Sequence, residues 1–183
     1  MSEEHLIRHC APTLAGIKTA SLFTCAYEDQ AALLDTVRRM NKKLKPKGLR
    51  MLPLRFSDKK ALIYLYRPKK LSADLENATA SQLLERCGYG CGSCEHCVAC
   101  LGKKLRRQQD FPHEIGLFLG YPAEDVRGFI ECGPDSCKCT GCWKVYTDVE
   151  GARKKFAQYK KCDRIYREKW AQRGNLDRLT VAC

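Results

Sequence analysis

Nine of the thirteen cysteines in this chain fall between Cys87 and Cys142, in two tight groups. The first, CGYGCGSCEHCVAC, holds Cys87, Cys91, Cys94, Cys97 and Cys100; the second, ECGPDSCKCTGC, holds Cys132, Cys137, Cys139 and Cys142. Closely spaced thiols in Gly-rich turns can aim several sulfurs at one soft cation, because a short loop lets backbone N–H groups point at the anionic thiolates. Such spacing marks zinc and iron–sulfur sites, so all nine are candidate metal ligands.

Iron–sulfur is the first reading. Cys91, Cys94 and Cys97 give C-x₂-C-x₂-C, the opening of a ferredoxin run, which then wants C-x₃-C-P. Here Cys100 follows after two residues and Leu101 stands where proline would. Nine cysteines suffice for two four-thiolate sites with one left over, and the second group can supply a shared ligand or a second site. Cys87-x₃-Cys91-x₂-Cys94 is also similar to the cluster motif of radical S-adenosylmethionine enzymes, but too little chain follows for the β/α units they need. Zinc is the main rival: Cys94/Cys97 could pair with Cys139/Cys142, and Cys87/Cys91 with Cys132/Cys137. Cysteine density favours iron, because zinc sites seldom use five cysteines in so short a run. Free thiols with no metal are the third reading. His96 reads as a bystander, and His113 as a cap or packing group. Cys10, Cys25 and Cys162 read as small buried hydrophobes.

Several elements must position these groups. Residues 29–45 predict a helix, with Leu33, Val37, Met40 and Leu44 on one face and Pro46 and Gly48 stopping it. Strands are expected at 49–56 and 61–66 around the turn Ser57-Asp58-Lys59-Lys60, with another at 20–27. The run ALIYLY is apolar throughout and predicts a central strand covered on both faces. Helices are expected over 72–87, from Cys97 to Gln109, in a short piece before Gly120-Tyr121-Pro122, and over 123–131. Trp143–Tyr146 reads as a short strand. A long final helix starts at a capping box, Thr147-Asp148-Val149-Glu150, with the stripe Val149, Ala152, Phe156, Tyr159, Tyr166 and Trp170. The expected fold class is α+β or mixed α/β, with one mixed sheet flanked by helices. A single domain over 1–183 would carry the cysteine groups (87–100 and 132–142) as a metal-binding lobe at the sheet's edge, within 87–142.

The chain's 183 residues, 44% hydrophobic and 30% charged, suit one globular core with a small metal-held lobe. The start, MSEEHLIRHCAPTLAG, lacks the basic opening and apolar run of a secretory signal, and no stretch is long enough to span a membrane. A cytoplasmic address is therefore expected, where thiols stay reduced and serve as ligands rather than disulfides. The net charge of +12 resides largely on helix faces: Arg38, Arg39, Lys42, Lys43 and Lys45; Lys103, Lys104, Arg106 and Arg107; and a run from Arg153 to Arg167. Solvated faces explain much of it, and an acidic redox partner of flavodoxin or ferredoxin type would use the rest. Nucleic acid is a weaker expectation, since Tyr89 is the sole aromatic residue in 87–110 and gives a poor stacking platform. No nucleotide-binding loop and no catalytic constellation can be read; a role of oxidoreductase type is what a bound cluster would imply.

Three further segments carry a resemblance. HCAPTLAGIKTASLF, KPKGLRMLPLR, and FPHEIGLFLGYPAEDVRGFIE followed by CWKVY resemble a family of small bacterial proteins, mostly of anaerobes, catalogued only as a domain of unknown function. The resemblance covers nearly the whole chain and implies no established activity, so it transfers no catalytic residues. It places the run Cys87–Cys100 outside the shared core, which would make metal binding a property of this member or a subgroup. An anaerobic setting favours iron, because oxygen-labile clusters survive there.

Overall fold

A computed structural model describes residues 1–90, 92–107 and 110–182, apart from the side chain of Arg173. Cys91, Gln108, Gln109 and Cys183 lie outside the described residues, and with them one candidate ligand and the expected end of the helix at Gln109. Helix α1 (Glu3–Leu14) opens the fold, with Ser2 accepting from the His5 amide and Glu3 and Glu4 in its first turn. Sequence reasoning assigned no element to this segment. Pro12, inside the helix, cannot donate to the helical ladder, and the buried stripe of Leu6, Ile7, Cys10, Ala11 and Leu14 offsets that loss.

Strand β1 (Ala20–Ala26) leads to α2 (Gln30–Leu44), whose Asp29 cap accepts from the Ala31 and Ala32 amides. A 3-10 turn (Lys45–Lys47) extends α2, and Gly48 ends that turn with φ 77°, a left-handed conformation that costs glycine nothing. Strands β2 (Arg50–Ser57) and β3 (Lys60–Tyr66) form the expected hairpin, turning through positive φ at Asp58 and Lys59. The sheet order is β1-β3-β2 and every pairing is antiparallel, not mixed. The reason is topological: β1 and β2 run the same way around the α2 crossover, but β3 inserts between them and leaves no parallel neighbours.

β3 is central and buried from Ala61 to Tyr66, as ALIYLY predicts. Its residues alternate between two cores. Ala61, Ile63 and Leu65 pack with Leu6, Leu14, Leu33, Val37 and Leu44 of α1 and α2. Leu62, Tyr64 and Tyr66 face the cysteine-bearing side, among Leu71, Leu83, Val98, Leu101 and Phe118. The helix expected over 72–87 is two helices, α3 (Pro68–Leu75) and α4 (Ala78–Arg86), because Asn77 caps α4 by accepting from the Thr79 and Ala80 amides.

Then come α5 (Cys94–Arg107), α6 (Ile115–Phe118) and α7 (Ala123–Cys132), followed by a two-stranded hairpin, β4 (Cys139–Thr140) and β5 (Lys144–Val145). The final long helix α8 (Val149–Arg173) is capped by Asp148, which accepts from the Gly151 amide, rather than by Thr147. Thr147 is drawn away because its hydroxyl donates to the buried Asp125 carboxylate. Helix α9 (Leu176–Leu179) packs on α1, and residues beyond it close over the sheet's end. Arg67, 1% exposed, donates there to the carbonyls of Thr13, Leu14, Lys47 and Val181. Among the described residues no helix is long and apolar enough to cross a membrane.

Candidate metal centre

The first cysteine group starts where α4 ends. Cys87 closes α4 through its amide to the Leu83 carbonyl, and Gly88 turns the chain with φ 77°. Tyr89 then plugs the core at 1% exposure, its hydroxyl donating to Glu114 at 3.1 Å. Lys104 comes back from α5 to meet the same carboxylate at 2.7 Å, donates to the Cys87 carbonyl at 2.6 Å, and lies 4.3 Å from the Tyr89 ring centre. The group is therefore clamped to the fold by a nearly buried Glu114.

Helix α5 opens with Ser93, whose hydroxyl accepts from the His96 amide at 3.2 Å. Cys94, Cys97 and Cys100 follow at three-residue spacing and lie along one flank of the helix. Cys97 is buried, while Cys94 and Cys100 are half-buried. His96 Nε2 stands 3.4 Å from Cys100 Sγ. Cys94 and Cys97 line one cavity of about 320 Å³, with Glu76 of α3, Glu85 of α4, and Gly90, Gly92 and Ser93. Glu76 and Glu85 carry no local sequence signal, because the cavity assembles only when α3 and α4 pack together.

The Cys87, Cys94 and Cys97 thiols are held protonated. Burial pushes Cys94 up to about 11, with Glu95 and Cys97 adding to it. Burial also raises Cys97, with Cys100 reinforcing the effect. Cys87 is raised by burial and then by Glu114, against the pull of Lys104. A soft cation entering here must displace protons.

The second group belongs to other elements, and an Arg86–Glu131 ion pair at 3.6 Å ties α4 to α7 one residue before Cys87 and Cys132. Cys132 ends α7, and Cys137, Cys139 and Cys142 ride the β4–β5 hairpin, which rests so closely on Phe156 that a Cβ at Gly141 would stand 2.1 Å from the ring. Cys137 Sγ is 3.4 Å from the Thr140 hydroxyl. Cys139 packs with Trp143 and Phe156, whereas Cys87, Cys94 and Cys100 pack on the sheet-side core. Among the described residues no three Cys, His, Asp or Glu side chains converge on a common point. The described cysteines are all unbridged, and Cys10, Cys25 and Cys162 are buried as expected.

Sequence reasoning missed a feature beside the second group. Lys18 Nζ lies 5.6 Å from the Tyr121 ring centre and 5.9 Å from that of Tyr159. Burial lowers its pKa, while Cys142, Cys10 and Asp163 act the other way. Four separate stretches of chain meet there, and no local pattern announces that.

One expectation about the surface is corrected. Lys104 belongs to the Glu114 clamp and is not part of a free basic rim, whereas Lys103, Arg106 and Arg107 are exposed, Arg106 also donating to the Leu54 carbonyl. Tyr89 is buried and offers no stacking face. A family model described as protein of unknown function (DUF3793) matches residues 6–180, and the chain belongs to that family. No curated protein and no solved structure matches the chain.

Proposed function

We propose that this DUF3793 member is a thiolate metal protein that holds an iron–sulfur group at the start of α5 and uses it in electron transfer or in support of a redox reaction. One observation carries the reading: Cys94 and Cys97, one turn apart, line the same cavity as Gly90, Gly92 and Ser93, the sequence neighbours of Cys91. With Cys91 and Cys100 the sequence supplies the four soft donors that such a site requires, and cluster binding would draw the described ones together, since they do not converge in the metal-free fold. The first turn of α5 contributes further, since its free backbone N–H groups favour a negatively charged cluster. Cys132, Cys137, Cys139 and Cys142 form a separate thiol site in this reading. The exposed Lys103, Arg106 and Arg107 suit an acidic carrier protein, whose opposite field speeds encounter.

Anaerobic purification tests the proposal. The protein should be brown, with a broad visible absorption that bleaches on reduction, and Cys94→Ser with Cys97→Ser should abolish the colour. Colourless protein carrying stoichiometric zinc would replace iron by a structural metal, and protein with neither metal would end the reading.

A further inference from the structure

A second cavity lies between α6, α7 and the β4–β5 hairpin, away from Cys94 and Cys97. Its volume is about 280 Å³, just below the range of about 300–1,000 Å³ common for small-molecule sites. Phe111, Ile115, Tyr121, Val126, Phe129 and Trp143 supply its apolar walls. The rings are ordered: Tyr121 stacks on Trp143 with centroids 5.1 Å apart, and His113 meets Phe129 edge-on at 5.1 Å. Phe111 is 43% exposed, one of two large hydrophobics left in solvent among the described residues.

Gly116 keeps one wall thin, since a Cβ there would stand 2.8 Å from Val126 Cγ2. The one carboxylate on the lining, Asp125, is already saturated. It accepts from the Trp143 indole, the Tyr146 and Thr147 amides and the Thr147 hydroxyl. The His113 imidazole, the Tyr121 hydroxyl and the Lys144 ammonium on the lining can all donate. His113 is exposed and makes no hydrogen bond among the described residues, and the Lys144 ammonium has one bond, to the Pro134 carbonyl.

From this we infer that the cavity is a binding site for a small planar aromatic anion, its ring lying among Phe111, Tyr121, Phe129 and Trp143 and its negative group meeting His113 and Lys144. The size admits one compact ring system. The flat aromatic walls favour a ring over a flexible chain, because rings gain stacking contacts and lose little freedom on binding. Rim donors left without an acidic partner favour an anion over a neutral ring. The site shares no residue with the proposed metal centre, so either can fail without the other.

Fluorescence titration with 1-naphthoate tests it. The chain has two tryptophans, so Trp170→Phe leaves Trp143 as the sole reporter. Naphthoate should quench Trp143 saturably and bind about tenfold tighter than neutral 1-naphthamide, the factor that ~1.4 kcal/mol makes. It should exceed octanoate, which has the charge without the ring, by a similar margin. In the His113→Gln, Lys144→Gln protein the preference for naphthoate over naphthamide should vanish. Both residues have solvent contact, so folding should survive, and far-ultraviolet circular dichroism checks it. Val126→Phe, which narrows the cavity, should abolish quenching. Octanoate binding as well as naphthoate would show a merely greasy surface and overturn the inference. So would a preference for the anion that survives the double substitution.

Discussion

At the scale of single residues, Glu114 sets the position of the first cysteine group. Its carboxylate, 7% exposed, binds Lys104 and Tyr89, and through Lys104 it fixes the Cys87 carbonyl. Glu114→Ala leaves a half-buried ammonium without its counter-charge, and should lower stability by about 3 kcal/mol in urea unfolding. Arg67 is the second such residue. Replacing it with Ala removes a donor from the carbonyls of Thr13, Leu14, Lys47 and Val181, of which Thr13 and Leu14 keep the Gly16 and Val181 amides, and a cost of about 3 kcal/mol is expected in the same assay. The thiols give a test in pH. Cys94 is pushed up to about 11 from an ordinary 9.0, so in metal-free protein its thiolate near neutral pH is about a hundredfold scarcer than that of a free thiol. Its alkylation by iodoacetamide, followed by peptide mass spectrometry, should therefore rise about tenfold per pH unit and level off only near pH 11.

At the scale of elements, the basic α5 distinguishes surface charge from structural charge. Replacing Lys103, Arg106 and Arg107 with serine, while keeping Lys104, should slow reduction by an acidic carrier at low salt and leave any visible spectrum intact; an unchanged rate would assign these charges to solubility alone. Elements with a single strong periodicity were legible in the sequence: α2, the β2–β3 hairpin, the buried β3 and the length of α8. Helix α1 was not, because Pro12 masked a clear stripe from Leu6 to Leu14. The 72–87 segment lost its break for a related reason, since Asn77 acts as a cap only once α3 and α4 turn against each other. The thiols of α5 were legible as a group, but their cavity was not. Its walls come from α3 and α4, and the Lys104–Glu114 clamp joins residues ten positions apart across a bend that spacing does not reveal.

At the scale of the whole molecule, three strands separate two cores with different work to do. The face of Ala61, Ile63 and Leu65 is closed by α1 and α2 and holds the fold, while the face of Leu62, Tyr64 and Tyr66 carries the first cysteine group. Deletion of residues 176–182 should expose the first face alone, and limited proteolysis should then cut first near α1. The Arg67 carbonyl cluster has a temporal consequence as well. Its partners lie at Thr13, Leu14, Lys47 and Val181, so during synthesis a guanidinium made early must wait for a carbonyl made more than a hundred residues later. A nascent chain that holds both cysteine groups but has not yet released Val181 from the ribosome would still lack its closing contact. Its thiols would be open to oxidants and soft cations before the scaffold beneath them had set.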